Sequence, residues 1–287
     1  MLRLAVATAA ETFERMQAPL AERDVEVVAV DAAERTIGLA DAFPSVDVGF
    51  VFPSRLMEGG VLDAHLDVPW VNGREAILRS RNKGEVLTRL HEAGLPVPET
   101  VVVSNPVGRD ALVDAFERIE GPVVVKPNST TRGTGVARAA DLDSFLGICD
   151  YLDLVHDYRA TGDRSFLVQE FLPDARDYRA MVVDGTYVGA VERRLPDDAV
   201  AAGRWTHNVH RGATAEGVAL APERRDLVER VAATLEVPWL GVDLLVTEEG
   251  PVVTETNARP TIDSATKYEE GFWDDLAALI RRTAARD

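Results

Sequence analysis

A lysine closes the apolar run Val123-Val124-Val125-Lys126-Pro127, and the loop Asn128-Ser129-Thr130-Thr131-Arg132-Gly133-Thr134-Gly135 follows at once. A charge at the end of a buried strand is unfavourable unless an anion meets it. Loops this small and rich in hydroxyls and glycine present backbone amides that cradle phosphates. The lysine precedes the glycines and no Gly-Lys-Ser/Thr follows, so this is not a P-loop. A surface hairpin with a turn lysine is the plainer alternative.

A second constellation is Asp243, Glu255 and Asn257. Gly241-Val242-Asp243-Leu244-Leu245 sets one acid inside an apolar strand, and Val252-Val253-Thr254-Glu255-Thr256-Asn257 sets another at alternating spacing. Period-two geometry puts Glu255 and Asn257 on one face, and a hairpin between the strands would bring Asp243 to them. Two carboxylates and an amide oxygen suit Mg²⁺ shared with phosphates. The alternative is a structural ion pair with nearby arginines.

Two weaker signals accompany these. Gln169-Glu170-Phe171-Leu172 ends a strand with peptide groups and an aromatic able to hold a flat heterocycle, though an edge strand reads the same way. His207-Asn208-Val209-His210-Arg211-Gly212, with Asp177, Arg179, Glu192, Arg193 and Arg194, clusters arginine in an acidic chain, which suggests anion binding. Charge balance on a solvated face is the rival for Arg193 or Arg194 singly. His207 and His210 lack a third soft ligand and read as hydrogen-bonding or structural.

The 287-residue chain is 46% hydrophobic with a formal charge of −17. The length fits one large domain or two to three small lobes. The charge argues against nucleic acid and anionic membranes as partners, and suits a salt-rich, halophilic cytoplasm. Only Lys83, Lys126 and Lys267 are lysine. Each is therefore a candidate for a place where the arginine fork will not serve. The single cysteine, Cys149, lies in an apolar run and reads as a core thiol. The start is too short an apolar stretch for a signal peptide, and no run approaches membrane-spanning length; a cytoplasmic protein is expected.

These groups need elements to hold them. Leu2–Ala7, Val25–Val30 and Val46–Phe52 read as strands and Thr12–Glu22 as a helix, a small parallel α/β lobe. One helix is expected from Ser80 to Ala93 and others over Asp141–Leu152, Pro222–Glu236 and Phe272–Arg282. Phe166–Leu172, Tyr178–Val183 and Tyr187–Arg194 read as antiparallel strands, with Asp184-Gly185 as a hairpin turn. Leu240–Val246 and Val252–Glu255 are two further strands.

In this order the motifs resemble the ATP-grasp superfamily, and within it the RimK-like glutamate ligases. The match runs from Val71-Asn72-Gly73 and Asn82-Lys83 through Leu90–Thr100, Lys126 and its loop, and Gln169-Glu170-Phe171. It continues with Asp177-Tyr178-Arg179, Asn208–Gly212, Gly241-Val242-Asp243 and Glu255-Thr256-Asn257-Ala258-Arg259-Pro260. The resemblance implies an α/β ATP-grasp fold in three lobes: a parallel N-terminal lobe (1–79), a central lid lobe (80–168) and a C-terminal antiparallel lobe (169–287).

It also implies roles. Lys83 and Lys126 would contact nucleotide phosphates beneath Thr131, Gly133 and Gly135. Glu170 and Phe171 would meet adenine, and Asp177 and Asn208 the rest of the nucleotide, Asp177 at the ribose. Asp243, Glu255 and Asn257 would hold magnesium or manganese, two ions in all. Arg211 and Lys126 would be catalytic, Arg211 facing an acyl phosphate. The implied reaction is ATP-dependent joining of an amino acid to a carboxylate, with self-association common among relatives. A non-catalytic ATP-binding module and an ATP-grasp phosphotransferase are the other readings. The chain departs from the family pattern at Asn82, Thr130, Thr206-His207 and Ala258-Arg259, and the last two departures fall where substrate contacts are expected.

Overall fold

The structure is a computed structural model that describes residues 1–7, 10–31, 36–130, 133–155, 163–262 and 267–286. β1 (Leu2–Val6), β2 (Val25–Ala29) and β3 (Val48–Phe50) form a parallel three-stranded sheet in the order β2-β1-β3, with α1 (Ala10–Ala21) between the first two strands. β3 is shorter than the expected Val46–Phe52. α2 (Leu56–Leu66) then leads to α3 (Arg74–Arg81) and α4 (Lys83–Glu92).

The single helix expected over Ser80–Ala93 is therefore two helices that break at Asn82. Asn82 takes a non-helical backbone and its side-chain oxygen accepts from Glu85 N at 3.1 Å. Asparagine is a strong N-cap, and here it starts a new helix with Lys83 in the first turn.

β4 (Thr100–Ser104), α5 (Arg109–Glu117), β5 (Val123–Pro127), β6 (Ala137–Ala139), α6 (Leu142–Val155) and β7 (Ser165–Glu170) build the second unit. Its antiparallel sheet runs β4-β7-β5-β6. Position 168 falls inside β7, and the sheet continues to Glu170. Val103, Val123, Phe145, Cys149, Phe166 and Val168 give this unit a core of its own. Burial, then the charge of Asp150, pushes the Cys149 thiol up to about 12, which makes it inert.

The third sheet is built from β8 (Arg176–Val183), β9 (Thr186–Arg194), then α7 (Asp197–Ala201), β10 (Thr214–Val218), α8 (Pro222–Leu235), β11 (Trp239–Val246) and β12 (Pro251–Asn257). Its order is β10-β9-β8-β11-β12, all antiparallel. Asp184 and Gly185 both have positive φ, as a tight hairpin between β8 and β9 requires. α9 (Phe272–Ala284) covers the sheet with Phe272, Leu276 and Ile280.

This third sheet shares one core with the N-terminal sheet. Leu4, Val6 and Phe50 belong with Trp239, Leu240 and Leu276, and Phe50 lies 6.3 Å from Trp239 between ring centroids. Fully buried Asn72 ties the two together. It donates to the carbonyls of Trp239 and Ala258, both at 2.6 Å, and accepts from Trp239 N at 3.2 Å. Among the described residues, no helix is long and apolar enough to cross a membrane.

Candidate active site

β11 and β12 pair as the sequence spacing implies. Asp243 is the Cα partner of Glu255, and Gly241 of Asn257. The two acids thus meet directly across the hairpin, next to a register shift after Asp243. β8 lies on the other side of β11 and sets Arg179 opposite Asp243.

Arg179 grips both Asp243 oxygens, at 2.7 and 2.8 Å, and Arg193 reaches Asp243 Oδ2 at 3.1 Å and Asp177 Oδ1 at 2.5 Å. Burial alone would raise the Asp243 carboxyl, but the two guanidinium charges overcome it and hold the group well below the usual carboxylate range. Asp177 lies differently: burial, with the nearby charge of Asp243, pushes it up to about 6 despite Arg193. His207 Nδ1 stands 3.6 Å from Asp177, and burial with the Arg193 charge lowers its pKa. The ion-pair alternative for Asp243 is thus what the structure displays, and Asp177 belongs to the same network.

The lysines converge on the other side of Glu255. Lys83, at the start of α4, lies 3.5 Å from Glu255 Oε1 and donates to the carbonyls of Asn128 (3.3 Å) and Thr130. Lys126 donates to Gln169 Oε1 at 2.8 Å and to the Thr254 carbonyl at 3.3 Å, which joins the central sheet to β12. Both lysines are buried, and so is Lys267, the third in the chain. Burial pushes the Lys126 ammonium down to about 8, Lys83 pushes the same way, and Glu255 and Asp243 offset only part of it.

Above the lysines runs the glycine loop. Gly133 and Gly135 have φ of +67° and +78°, and a Cβ on Gly133 would lie 2.9 Å from Asn208 Oδ1. Arg211 Nη2 donates to the Gly133 carbonyl at 3.2 Å. Arg211 thus ties the loop to the short 3₁₀ turn at Val209–Arg211, and Asn208, just before that turn, packs close to Gly133. Thr131 lies outside the described residues. At the end of β7, Phe171 meets Trp205 edge-on at 5.6 Å, and the Arg138 guanidinium sits 4.8 Å above its ring. The N–H groups of Glu170 and Phe171 are already bonded to Glu99 and Pro122 carbonyls, and Glu170 Oε1 accepts from Glu99 N.

The sequence reading missed the residues that position the lysines. Asn128 accepts from Gly84 N at 2.8 Å and donates to Asn82 Oδ1 at 2.9 Å, so it fixes the first turn of α4. Gln169 holds Lys126 and donates to Thr100 Oγ1. Both lie in the motifs quoted above, yet a one-dimensional pattern carries no sign of their partners.

The site suits a polyanion. Lys83, Lys126, Arg179 and Arg193 outnumber Asp177, Asp243 and Glu255, and Ser129 Oγ is buried with no hydrogen-bond partner among the described residues. One positive charge in excess, with no ion pair at buried Lys126 among the described residues, and a hydroxyl without a partner call for anionic oxygens. Among the described residues no set of three His, Cys, Asp or Glu side chains is arranged for a metal. Glu255, Asp243 and the Asn257 amide are oxygen donors of the type a hard cation takes. Asp243 could join them only by sharing oxygens with Arg179 and Arg193.

Comparison with known proteins gives the family and the fold. The RimK-like ATP-grasp domain model matches residues 80–277. The chain is 31% identical over 220 residues to a "Probable alpha-L-glutamate ligase 2" of Pseudoalteromonas atlantica, a match covering 73% of this chain and 65% of that protein. The chain therefore spans about two thirds of that relative's length. A RimK domain ATP-grasp protein from Sphaerobacter thermophilus has the same fold, with a TM-score of 0.72 at 23% identity over 99% of this chain and 100% of that one. So does the ATP-grasp ligase PsnB, solved with a phosphomimetic precursor variant, Mg and ADP. Its TM-score is 0.68 at 15% identity over 98% of each chain. The order of the motifs, the three sheets and these matches place the chain in the RimK-like ATP-grasp family.

Proposed function

We propose that the chain is an ATP-dependent carboxylate–amine ligase that adds an amino acid to a carboxylate, with glutamate the first candidate from the name its relatives carry. The observation that supports this best is the convergence of buried Lys83 and Lys126 on Glu255 beneath the Gly133–Gly135 loop. Lobes 1–79, 80–168 and 169–287 would be the working units, and the separate core of the central one suits a lid.

In this reading Lys83 and Lys126 hold the nucleotide phosphates and Ser129 donates to one of their oxygens. Glu170 and Phe171 line the adenine end; with their N–H groups engaged, recognition there falls to carbonyls and ring faces. Asp177, Asn208 and the Thr131–Gly135 loop complete the nucleotide contacts. Glu255, Asn257 and Asp243 would hold Mg²⁺, which draws charge from the phosphoryl oxygens.

A substrate carboxylate oxygen bonds to the γ-phosphorus as the bond to ADP breaks. The amine nitrogen then bonds to the acyl carbon, phosphate leaves with the C–O electron pair, and the amine proton passes to solvent. Lys126 and Arg211 stabilise charge on the transferring and leaving groups, and the closed loop excludes water from the acyl phosphate. Positioning and electrostatics suffice; no enzyme nucleophile is required.

The test is a screen of amino acids against small carboxylates and peptides, reading phosphate release and product mass. Amino-acid-dependent release of ADP and phosphate with a condensed product is expected. Nucleotide binding without turnover, or a phosphorylated product, would overturn the reading.

A further inference from the structure

β12 ends at Asn257, and Arg259 follows, its backbone N–H donating to Asn257 Oδ1 at 2.8 Å. The Arg259 guanidinium crosses to the N-terminal sheet. It donates to the carbonyls of Ala7 at 3.2 Å, Val51 at 3.5 Å and Phe52. These residues follow the carboxyl ends of β1 and β3, the edge of an open parallel sheet where ligands bind. The three carbonyls engage both terminal nitrogens but leave part of the five-donor fork, including Nε–H, without a hydrogen bond among the described residues.

Arg81, the last residue of α3, faces the same junction and reaches the Ser54 carbonyl at 3.0 Å. Neither Arg81 nor Arg259 has a carboxylate partner among the described residues, whereas Arg176, Arg179, Arg193 and Arg225 each hold one. Two guanidinium groups that bind carbonyls two residues apart, Arg259 half-buried and with fork donors to spare, are arranged to be completed by a carboxylate, which matches the fork.

We propose that Arg259 and Arg81 form a carboxylate subsite that holds the end of a substrate not undergoing reaction. The carboxylate is either the α-carboxylate of the incoming amino acid or a second carboxylate on the acceptor. The inference rests on the ligase reading for what the subsite is used for, but not for whether it binds a carboxylate. Asn257 stands two residues from Arg259, so a substrate anchored there lies beside the candidate metal and phosphate groups.

Calorimetry on the full chain tests it with two probe pairs: L-glutamate against L-glutamic acid α-amide, and glutarate against its monoamide. Arg259→Ser should weaken one of the diacids by roughly 10- to 100-fold, the range for a hydrogen bond to a charged group, and leave its amide unchanged. The pair that responds identifies the source of the carboxylate. Arg81→Ala should shift the same probe in the same direction by a smaller factor, with an unchanged melting temperature. It carries the test if Arg259→Ser does not fold.

Unchanged affinity in the variants, with a lowered melting temperature for Arg259→Ser, would make Arg259 only a clamp between the sheets and overturn the proposal. So would failure of the unmodified protein to bind either diacid. Arginine-dependent binding without any ATP turnover would uphold the subsite and sink the ligase reading instead.

Discussion

Replacing Lys126 with methionine separates the stability of the site from its function. The Lys126 ammonium is buried and its pKa falls from 10.5 to about 8. A drop of that size corresponds to about 3 kcal/mol against the charged form near neutral pH. Methionine removes that penalty and keeps most of the apolar stem, but leaves Gln169 Oε1 and the Thr254 carbonyl without their donor. Each lost partner costs about 1 kcal/mol. The nucleotide-free variant should therefore be about 1 kcal/mol more stable than the parent at pH 7, measured by urea unfolding.

The sign with pH follows from proton counting. Between about 8 and 10.5 the unfolded parent holds a proton on Lys126 that the folded parent has released, so parent stability rises with pH through that window. The advantage of the variant should shrink over the same range. Adding Mg-ATP should stabilise the parent strongly, because a ligand at 100 times its Kd contributes about 2.7 kcal/mol, and should barely move the variant. A variant more than about 2 kcal/mol less stable than the parent without nucleotide, or one equally protected by Mg-ATP, would refute the claim that this charge is kept for phosphate.

Other perturbations probe the rest of the site. Asp243→Asn should destabilise the nucleotide-free protein by about 3 to 5 kcal/mol, because it leaves Arg179 and Arg193 buried without their shared anion. Glu255→Gln, at a side chain about a third exposed (34%), should cost under about 1 kcal/mol in the same melts while removing the Mg²⁺ dependence of nucleotide binding. Gly133→Ala places a Cβ against Asn208 at positive φ, a local strain of about 1 to 2 kcal/mol in this loop. It should weaken ATP binding several-fold, read by calorimetry, with little change in melting temperature. Hydrogen bonds from Arg176 and Arg194 hold the Glu192 carboxyl down to about 2. The stability it contributes is present above about 4.5 and lost as pH falls through 2. Glu192→Gln should lower stability by about 1 kcal/mol above pH 4.5, after allowing for the exposure of both arginines, and the gap should close toward pH 2.

The elements that sequence reading located are those whose signal is local. β5, the β8–β9 hairpin, α8 and α9 each carry their own periodicity, turn residues or leading proline, and the structure has them within a few residues of expectation. The expected helix over Ser80–Ala93 had unbroken periodicity, yet Asn82 ends one helix and caps the next through Glu85 N, and Asn128, 46 positions away, donates to the same oxygen. β10 was not foreseen: its strand Thr214–Val218 is mostly exposed and has no apolar alternation, and pairing with β9 alone makes it a strand.

For the site, the chain on its own determined which groups are present and their local geometry. A lysine at a strand end, acids at period two and glycines with no Cβ are properties of residue type and spacing. Only the tertiary structure decided how those charges are divided. Asp243 lies between Glu255 on one neighbouring strand and Arg179 on the other, so its carboxylate is spent on arginines, while Glu255 faces Lys83. Arg259 finds its carbonyl partners more than 200 positions earlier in the chain. Coulomb forces act over a few ångströms of space irrespective of sequence separation, so the pairing that gives each charge its role exists only once the sheets are assembled.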